Sequence, residues 1–237
     1  MVRDRIVAIS GAAGGLGPTV AQAFAGAGAR LALAERDPAK ARSLLDSLGV
    51  GAGRGLVTAA DLTDPSQAAG WAAEVQRAFG GVDVVVHLVG GYRGGTSVEE
   101  AADADWDFIH KLLVLTTLNV GRAFAVGLRA RGWGRFISVT SPKAQAPTAK
   151  SALYSMGKAA SDALVLALAD ELRGTGATAN LIVVDSIDTP QTRDPGAKKA
   201  YGKSTPAEEI AAAMLFLCSD EAATVNGARL PLIGRDA

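Results

Sequence analysis

Residues 5–18 are Arg5-Ile-Val-Ala-Ile-Ser-Gly-Ala-Ala-Gly-Gly-Leu-Gly-Pro18, a short apolar run followed at once by a glycine-rich turn. The run at 5–10 is typical of a β-strand, and a helical pattern follows the turn. Gly11, Gly15 and Gly17 allow a tight turn and a close approach of the backbone to a pyrophosphate, whose charge the next helix N-terminus would face. Placed directly between a strand and a helix, this turn predicts a nucleotide-binding site, although glycine also serves plain loops.

Strand-like and helix-like segments alternate along all 237 residues, which predicts a parallel sheet covered by helices on both faces. No linker divides the chain, and no internal repeat is visible beyond this alternation. We therefore expect one domain over residues 1–237, with an α/β, doubly wound Rossmann fold: a seven-stranded parallel sheet in a three-layer sandwich. The predicted strands lie near 5–10, 30–35, 55–60, 82–89, 134–140, 178–184 and 228–233.

The predicted helix ends carry local signals. Asp37-Pro38 and Asp64-Pro65 each supply an N-cap followed by proline at the first helical position. The stretch Thr205-Pro-Ala-Glu208 has the pattern of a capping box. Gly49 and Gly80 follow predicted helix ends, where left-handed backbone is often needed.

Composition excludes several classes of function. Lys plus Arg and Asp plus Glu both number 24, so no basic excess indicates a nucleic-acid partner. Cys218 is the single cysteine, and His87 and His110 lie in different predicted elements, so no metal site is expected. The charged N-terminus does not resemble a signal peptide, and no apolar run reaches about 18 residues. We expect a cytoplasmic protein with no membrane partner.

The end of the second strand bears on the choice of cofactor. Glu35 follows the glycine turn by about 20 residues, where a carboxylate accepts hydrogen bonds from adenosine ribose hydroxyls and repels a 2′-phosphate. Arg36 has the opposite tendency, since a guanidinium can pair with that phosphate. Either side chain could instead be a solvated surface charge. Asp61, after the third strand, could accept the adenine amino group or cap the next turn. We expect NAD(H) to be favoured over NADP(H).

Tyr154 and Lys158 are four residues apart on a predicted helix, which places both on one face. An ammonium beside a phenol lowers the tyrosine pKa, so the pair could transfer a proton near neutral pH. Alone, this spacing is a weak signal, because an exposed aromatic and an exposed base are often found on a helix surface.

These motifs together resemble the short-chain dehydrogenase/reductase family in its compact single-domain form, over essentially the whole chain. The resemblance also includes Ser141, thirteen residues before Tyr154, Asp61-Leu62, and the closing pattern Phe216-Leu-Cys-Ser-Asp with Asn226-Gly227 and Leu232-Ile-Gly234. It implies hydride transfer between a nicotinamide and a carbonyl or alcohol.

The resemblance assigns roles to particular residues. Tyr154 would be the general acid for reduction and the base for oxidation. Lys158 would lower the pKa of Tyr154 and hold the nicotinamide ribose, and Ser141 would bind the substrate oxygen. The implied cofactor-binding residues are Gly11, Gly14, Gly15, Leu16, Gly17, Glu35, Arg36, Asp61, Leu62, Val89, Gly90, Tyr154, Lys158, Ile187 and Thr189.

Some positions depart from the family pattern. The usual Asn-Asn-Ala-Gly after the fourth strand is His87-Leu-Val-Gly90, where we expect His87 to be a structural replacement. The family's asparagine in the following long helix falls at Leu113, so its water-linked proton relay through Lys158 is not expected, and Asn119 should point elsewhere. The usual Pro-Gly after the sixth strand is Val184-Asp185.

Three segments resemble the dihydropteridine reductase branch of the same family: Val89–Gly95, Tyr154–Lys158 and Ile187–Arg193. That branch uses NADH and lacks the catalytic serine, which is present here as Ser141. Tyr92 becomes a candidate for substrate stacking, or it packs over its own loop. The alternatives to carbonyl chemistry are therefore reduction of a conjugated ring or C=N bond, and a cofactor-binding regulator without turnover.

Residues 185–205 are polar and follow the sixth strand, which predicts a substrate lid. The segment is basic because it contains Arg193, Lys198, Lys199 and Lys203. These charges could bind an anionic substrate, or they could belong to a solvated charged loop. Apolar faces on the helices near 103–131 and 151–173 predict a homo-oligomer, since these helices form a subunit interface in the family.

Overall fold

The computed structural model describes residues 2–190 and 204–234. The seven predicted strands are present and form one parallel sheet in the order β3-β2-β1-β4-β5-β6-β9. Two further strands, which were not predicted, form a small separate pair. The strands are β1 Ile6–Ser10, β2 Arg30–Glu35, β3 Gly55–Ala59, β4 Val84–His87, β5 Gly134–Thr140, β6 Ala177–Val183, β7 Ser186–Asp188, β8 Ser204–Pro206 and β9 Arg229–Pro231.

Helices cover both faces of this sheet, which confirms the predicted Rossmann-like architecture. The helices are α1 Gly17–Gly26, α2 Pro38–Ser47, α3 Pro65–Phe79, α4 Asp103–Ile109, α5 Thr116–Ala130, α6 Ala152–Glu171 and α7 Ala207–Leu217. A π-helical turn, His110–Leu115, joins α4 to α5, and a 3₁₀ turn, Pro142–Ala144, follows β5.

The strand β1 shows why its run is apolar throughout. Val7 and Ile9 enter the core shared with α1, α2 and α7, whereas Ile6 and Ala8 enter the core shared with α3, α5 and α6. Because helices cover both faces of the sheet, successive side chains that point in opposite directions are all buried.

The predicted helix ends are largely confirmed. Asp37 accepts a hydrogen bond from Ala39 N and Asp64 accepts one from Ser66 N, so both act as N-caps. Gly49 and Gly80 adopt φ values of 65° and 81°. The capping box at Thr205 is wrong: this residue lies in β8 and its hydroxyl donates to Leu232 O, while α7 begins at Ala207.

The continuous helical run Asp103–Ala130 has the length and apolar composition of a membrane-crossing helix. In this fold apolar side chains of the run pack into the protein core: Val120, Phe124 and Leu128 are buried beneath the sheet. Packing against the sheet therefore accounts for the apolar residues on the inner face of this run.

The carboxyl edge of the sheet brings the predicted site residues to one place. Gly11 N donates to Ala34 O, Leu88 N to Ser10 O, and Val184 N to Thr140 O. The segments that follow β1, β4, β5 and β6 are thereby fixed side by side. A ligand binds at this edge in open parallel sheets, where neighbouring connections diverge.

Candidate active site

The glycine turn has the geometry that a dinucleotide phosphate site requires. Gly11 has a φ of 71°, and a Cβ there would lie 3.0 Å from Val89 N. A Cβ at Gly17 would clash with the backbone of Ala12. The helix α1 begins after Leu16, whose side chain cannot accept a hydrogen bond from its first amides. Those amides suit an anionic ligand.

Glu35 is held against this turn, and Asp61 caps the turn that follows β3. Glu35 Oε1 accepts a hydrogen bond from Ala13 N at 2.7 Å, so the carboxylate is fixed against the glycine turn and is not merely solvated. Asp61 Oδ1 accepts from the amide and the hydroxyl of Thr63 at 2.9 and 2.8 Å. The capping role considered for Asp61 is therefore present, whereas Arg36 is exposed.

Ser141 and Tyr154 meet near the carboxyl end of β5. Ser141 is buried directly after that strand, and its hydroxyl accepts from Lys143 N at 3.3 Å. A hydrogen bond with Ser141 also acts to lower the pKa of the Tyr154 phenol. Ser141 therefore orders the turn before Pro142 and also interacts with the predicted catalytic tyrosine.

The pKa of Tyr154 is raised above its ordinary value, contrary to the expected lowering by Lys158. Burial of the phenol is the main cause, the Ser141 hydrogen bond opposes it, and the carboxylate of Asp185 adds to it. Desolvation disfavours the phenolate. The phenol therefore stays protonated through neutral pH in this structure.

Lys158 is buried one turn after Tyr154, and its ammonium donates to Val139 O at 2.9 Å. Burial lowers the Lys158 pKa to about 8, against the opposing effect of Asp162. An amine with this pKa can exchange its proton close to neutral pH.

Two further predicted cofactor residues, Gly90 and Thr189, lie close to site residues already described. A Cβ at Gly90 would lie 3.7 Å from Lys158 Nζ, and one at Gly15 would lie 3.6 Å from Thr189 Cγ2. The segment after β4 therefore approaches the lysine, and the segment after β7 approaches the glycine turn. The structure thus brings the glycine turn close to the segments around Lys158, Gly90 and Thr189.

The ring of Tyr92 packs edge-on against the ring of Tyr154, with the centroids 5.0 Å apart. Its side chain is still 62% exposed, and it lies over Gly94 in its own loop. Both interpretations of Tyr92 therefore agree with its position, since it packs over the loop and also borders the reactive phenol.

His87 replaces the family's asparagine as a tie between strands. Its Nδ1 lies 2.7 Å from Ser10 Oγ on β1, and its Nε2 lies 3.4 Å from Thr116 Oγ1. Burial, together with the charge of Lys158, lowers the His87 pKa to about 3. The ring is therefore neutral at physiological pH and serves as a structural residue, as expected.

This buried histidine should make stability depend on pH. Its folded-state pKa of about 3 lies below the reference of 6.5, so the unfolded chain binds more protons between these values and stability falls as pH decreases. We expect the loss at pH 5 to be about 2 kcal/mol relative to pH 7. His87→Asn should abolish this loss in urea titrations at both pH values. His110→Asn, at the other histidine, should retain it, and an unchanged loss in His87→Asn would contradict the assignment.

Leu113 occupies the family's asparagine position inside the π-helical turn and is 1% exposed. Its side chain is apolar, so it offers Lys158 no hydrogen bond. Its carbonyl accepts from Ser161 Oγ at 2.9 Å, which ties the turn to α6. Asn119 donates to Leu62 O at 3.0 Å and therefore points away, as predicted.

Two ion pairs near the site were not predicted. Lys143 Nζ lies 3.0 Å from Asp185 Oδ1, beside Ser141. Asp162, one turn beyond Lys158, is paired with Arg229 on β9. The four-residue spacing that linked Tyr154 to Lys158 could have indicated Asp162, but its partner is 67 residues away in the chain.

A family model described as enoyl-(acyl carrier protein) reductase matches residues 11–232. The chain is 28% identical over 241 residues to a (2S)-[(R)-hydroxy(phenyl)methyl]succinyl-CoA dehydrogenase subunit of Thauera aromatica, covering 98% of this chain and 96% of that one. It is 28% identical over 241 residues to an acetoacetyl-CoA reductase of Allochromatium vinosum, covering 97% of both chains. The solved L-sorbose reductase of Gluconobacter frateurii, in complex with NADPH and L-sorbose, matches with a TM-score of 0.83 at 29% identity, covering 98% of this chain and 96% of that one.

These matches span nearly the whole chain and agree with the geometry of the glycine turn. They favour carbonyl and alcohol chemistry over the conjugated-ring and regulator alternatives. The protein is an NAD(P)(H)-dependent oxidoreductase that acts on the C=O/CH–OH pair. The chain belongs to the short-chain dehydrogenase/reductase family.

Proposed function

We propose that Tyr154 is the general acid and base of this reaction, that Ser141 binds the reacting oxygen, and that Lys158 supports Tyr154. The observation that carries this proposal is that β5 and the residue after it gather the set: Ser141 is buried directly after the strand, and Lys158 Nζ donates to Val139 O on the same strand, one turn from Tyr154 on α6. Two hydroxyls that meet there can both hydrogen-bond one substrate oxygen.

During reduction, the substrate oxygen would accept hydrogen bonds from Ser141 and Tyr154, which stabilise the negative charge that develops there. Tyr154 would then give its proton to that oxygen. The raised pKa of Tyr154 keeps this proton available at neutral pH. A bound nicotinamide supplies the hydride.

The residues present fit such a cofactor. The glycine turn and the start of α1 would hold the pyrophosphate, because a side chain at Gly17 would clash with Ala12 and α1 presents its first amides there. Glu35 would hold the adenosine ribose, and Asp61 and Leu62 would contact the adenine. Lys158, Val89, Gly90, Ile187 and Thr189 would surround the nicotinamide half.

We further propose that NAD(H) is preferred over NADP(H). The hydrogen bond from Ala13 N fixes the Glu35 carboxylate against the glycine turn. A 2′-phosphate bound beside it would be repelled by its charge. Glu35→Ser should weaken NADH binding about tenfold and strengthen NADPH binding, as measured by quenching of protein fluorescence. Asp46→Asn, which removes an exposed charge on α2, should leave the ratio of affinities unchanged. Tighter binding of NADPH than NADH by the unaltered protein would refute the preference.

The substrate class can be tested with a panel of compounds that includes carbonyl substrates and a conjugated-ring substrate. NADH and NADPH oxidation should be measured with acetoacetyl-CoA, with L-sorbose and with a quinonoid dihydropterin. We expect turnover with a carbonyl substrate. Turnover of the pterin alone would favour conjugated-ring reduction, and tight cofactor binding without turnover on a broader ketone panel would favour a regulator.

We also propose that the chain forms one cytoplasmic domain that assembles into a homo-oligomer. A groove of about 180 Å³ between the outer faces of α5 and α6, bordered by Leu118, Gly121 and Leu164, supports such an interface. A monomeric mass by light scattering at micromolar concentration would refute the oligomer.

The proposed lid at 185–205 is described only in part: β7 pairs with β8, and the four basic residues lie outside the described residues.

A further inference from the structure

A partly buried ion pair lies beside Ser141, and neither the proposed proton transfer nor the proposed cofactor site uses it. Lys143 Nζ donates to Asp185 Oδ1 at 3.0 Å, and the two side chains retain 27% and 30% exposure. Ion pairs on a fully exposed surface contribute little to stability. The Lys143–Asp185 pair is instead partly shielded from water and still reachable from solvent, as groups that contact a small ligand must be.

Hydrogen bonds of the backbone fix this pair next to the residue that is proposed to bind the reacting oxygen. Lys143 N donates to Ser141 Oγ at 3.3 Å, so Ser141 and Lys143 belong to one tight turn after β5. Val184 N donates to Thr140 O at 3.0 Å, which sets the next residue, Asp185, beside that turn. The ammonium and the carboxylate are therefore held at the same part of the carboxyl edge as the Ser141 hydroxyl.

We propose that the Lys143–Asp185 pair is a substrate-recognition site for a hydroxyl group carried close to the reacting carbonyl. The proposal rests on the proposed role of Ser141 in binding the reacting oxygen, and it names a substrate class: hydroxy ketones in reduction and diols in oxidation. The reaction balances as for any ketone, because C=O gains one hydride and one proton to become CH–OH while the second hydroxyl is unchanged.

The pair has the hydrogen-bonding capacity that a hydroxyl requires. An ammonium carries three N–H donors, and a carboxylate only accepts. Within the part of the chain that the structure describes, Lys143 Nζ makes one side-chain hydrogen bond, to Asp185, which leaves donors for a ligand. A hydroxyl both donates and accepts, so it can accept from the ammonium and donate to the carboxylate at the same time. Hydrogen bonds to ionised partners are stronger than those between neutral groups.

The charges of the pair disfavour an ionic group at the same place. Lys143 and Asp185 together carry no net charge, so a substrate carboxylate would be repelled by Asp185 and a substrate ammonium by Lys143. A neutral hydroxyl contacts both partners without separating them. The carboxylate also acts on the reactive phenol, since its charge helps to raise the pKa of Tyr154. The pair is therefore near both groups that are proposed to hold the reacting oxygen.

The sequence shows that the carboxylate is a feature of this chain. The Pro-Gly that is usual after the sixth strand is Val184-Asp185 here, so an acidic side chain occupies a position where glycine has none. An acidic group added beside a reacting oxygen would oppose the negative charge that develops there during reduction. The ammonium of Lys143, 3.0 Å away, offsets that charge and leaves a polar and neutral site.

Ketones that differ by one hydroxyl measure what the pair recognises. In 3-hydroxy-2-butanone and 4-hydroxy-2-butanone the hydroxyl lies one and two carbons from the carbonyl, and 2-butanone lacks it. The better of the two hydroxy ketones should have a kcat/KM at least tenfold above that of 2-butanone, because its hydroxyl gains hydrogen bonds to two charged groups. Equal values for all three ketones would overturn the proposal.

Variants show whether this preference comes from the pair. Lys143→Met/Asp185→Ala removes both partners and leaves neither charge alone. The ratio of kcat/KM for the hydroxy ketone to that for 2-butanone should fall about tenfold, and a general loss of activity cancels in this ratio. Asp170→Asn/Arg173→Gln removes an exposed ion pair at the far end of α6 and should keep the ratio of the unaltered protein.

The conservative variant Asp185→Asn tests the role of charge. It keeps an acceptor for the hydroxyl and removes the repulsion of anions, so it should retain part of the hydroxy-ketone preference. Its kcat/KM for pyruvate relative to 2-butanone should rise at least fivefold, because Lys143 is then free to pair with the substrate carboxylate. No gain with pyruvate would contradict the role assigned to Asp185.

A bridge that only joins the two turns would give a different result. The variants would then melt at a lower temperature and lose activity equally with every ketone, and the unchanged ratios would overturn the recognition site. If the unaltered protein reduces no ketone, the proposed function fails instead. Ligand-observed NMR with the NADH-saturated protein still decides the inference, because hydroxy ketones should bind more tightly than 2-butanone and lose this advantage in Lys143→Met/Asp185→Ala. Equal affinities in the unaltered protein would overturn it.

Discussion

Tyr154→Phe should lower kcat by about 10³-fold while cofactor affinity stays within about twofold, because the change removes only the hydroxyl that transfers the proton. The phenylalanine ring keeps the edge-on contact with Tyr92 and the position of α6. Steady-state rates with a carbonyl substrate and NADH titration by fluorescence separate the two effects. A kcat within tenfold of that of the unaltered protein would refute Tyr154 as the acid.

Two variants serve as controls for this loss. Tyr92→Phe makes the same change in the adjacent ring, whose hydroxyl has no assigned proton transfer, so its effect should be under about tenfold and mainly on KM. Ser141→Ala should lower kcat by about 10²-fold, since it removes one hydrogen bond to the developing oxyanion. Because Ser141 and Tyr154 interact, the losses in the double variant should not add.

The elements whose signals are local could be predicted from the sequence. The run at 6–10 is apolar because both faces of β1 are covered, and the turn at 11–17 combines glycine spacing with a following helix. The spacing of Tyr154 and Lys158 placed both on α6. Each of these predictions depends on residues that are close in the sequence. Tertiary contacts therefore adjust the bounds of the predicted elements and do not change their type.

Features that depend on distant residues could not be predicted. Thr205 has the sequence pattern of a helix cap, but its hydroxyl donates a hydrogen bond to the carbonyl oxygen of Leu232. The pair Asp162–Arg229 joins α6 to the last strand, and no local pattern connects them. The strands β7 and β8 are three residues each, too short for an alternating pattern to appear.

Electrostatics show the same limit most clearly at Tyr154. From the four-residue spacing we predicted a lowered pKa for Tyr154, because the spacing indicates only that the charge of Lys158 is near. The structure adds burial of the phenol, which raises the pKa, and gives the lysine ammonium another partner at Val139 O. Desolvation depends on everything packed around a group, so a sequence pattern cannot supply it.

Lys158→Met should abolish most turnover and yet stabilise the fold at pH 7. The folded-state pKa of Lys158, about 8, lies below its reference of 10.5, so burying the charged amine costs about 3 kcal/mol at pH 7. Methionine keeps a similar volume without the charge. Loss of the hydrogen bond to Val139 O should return about 1 kcal/mol of this gain, leaving about 2 kcal/mol.

The sign of the pH dependence tests this account. Between pH 8 and 10.5 the unfolded chain binds more protons at Lys158 than the folded chain does, so the unaltered protein gains stability as pH rises through this window. The advantage of Lys158→Met in urea unfolding should therefore be full at pH 7 and small near pH 10. A variant that is less stable at pH 7 would show that the amine supports the core. A more stable and inactive variant would show that the fold tolerates a costly buried charge because proton transfer at Tyr154 requires it.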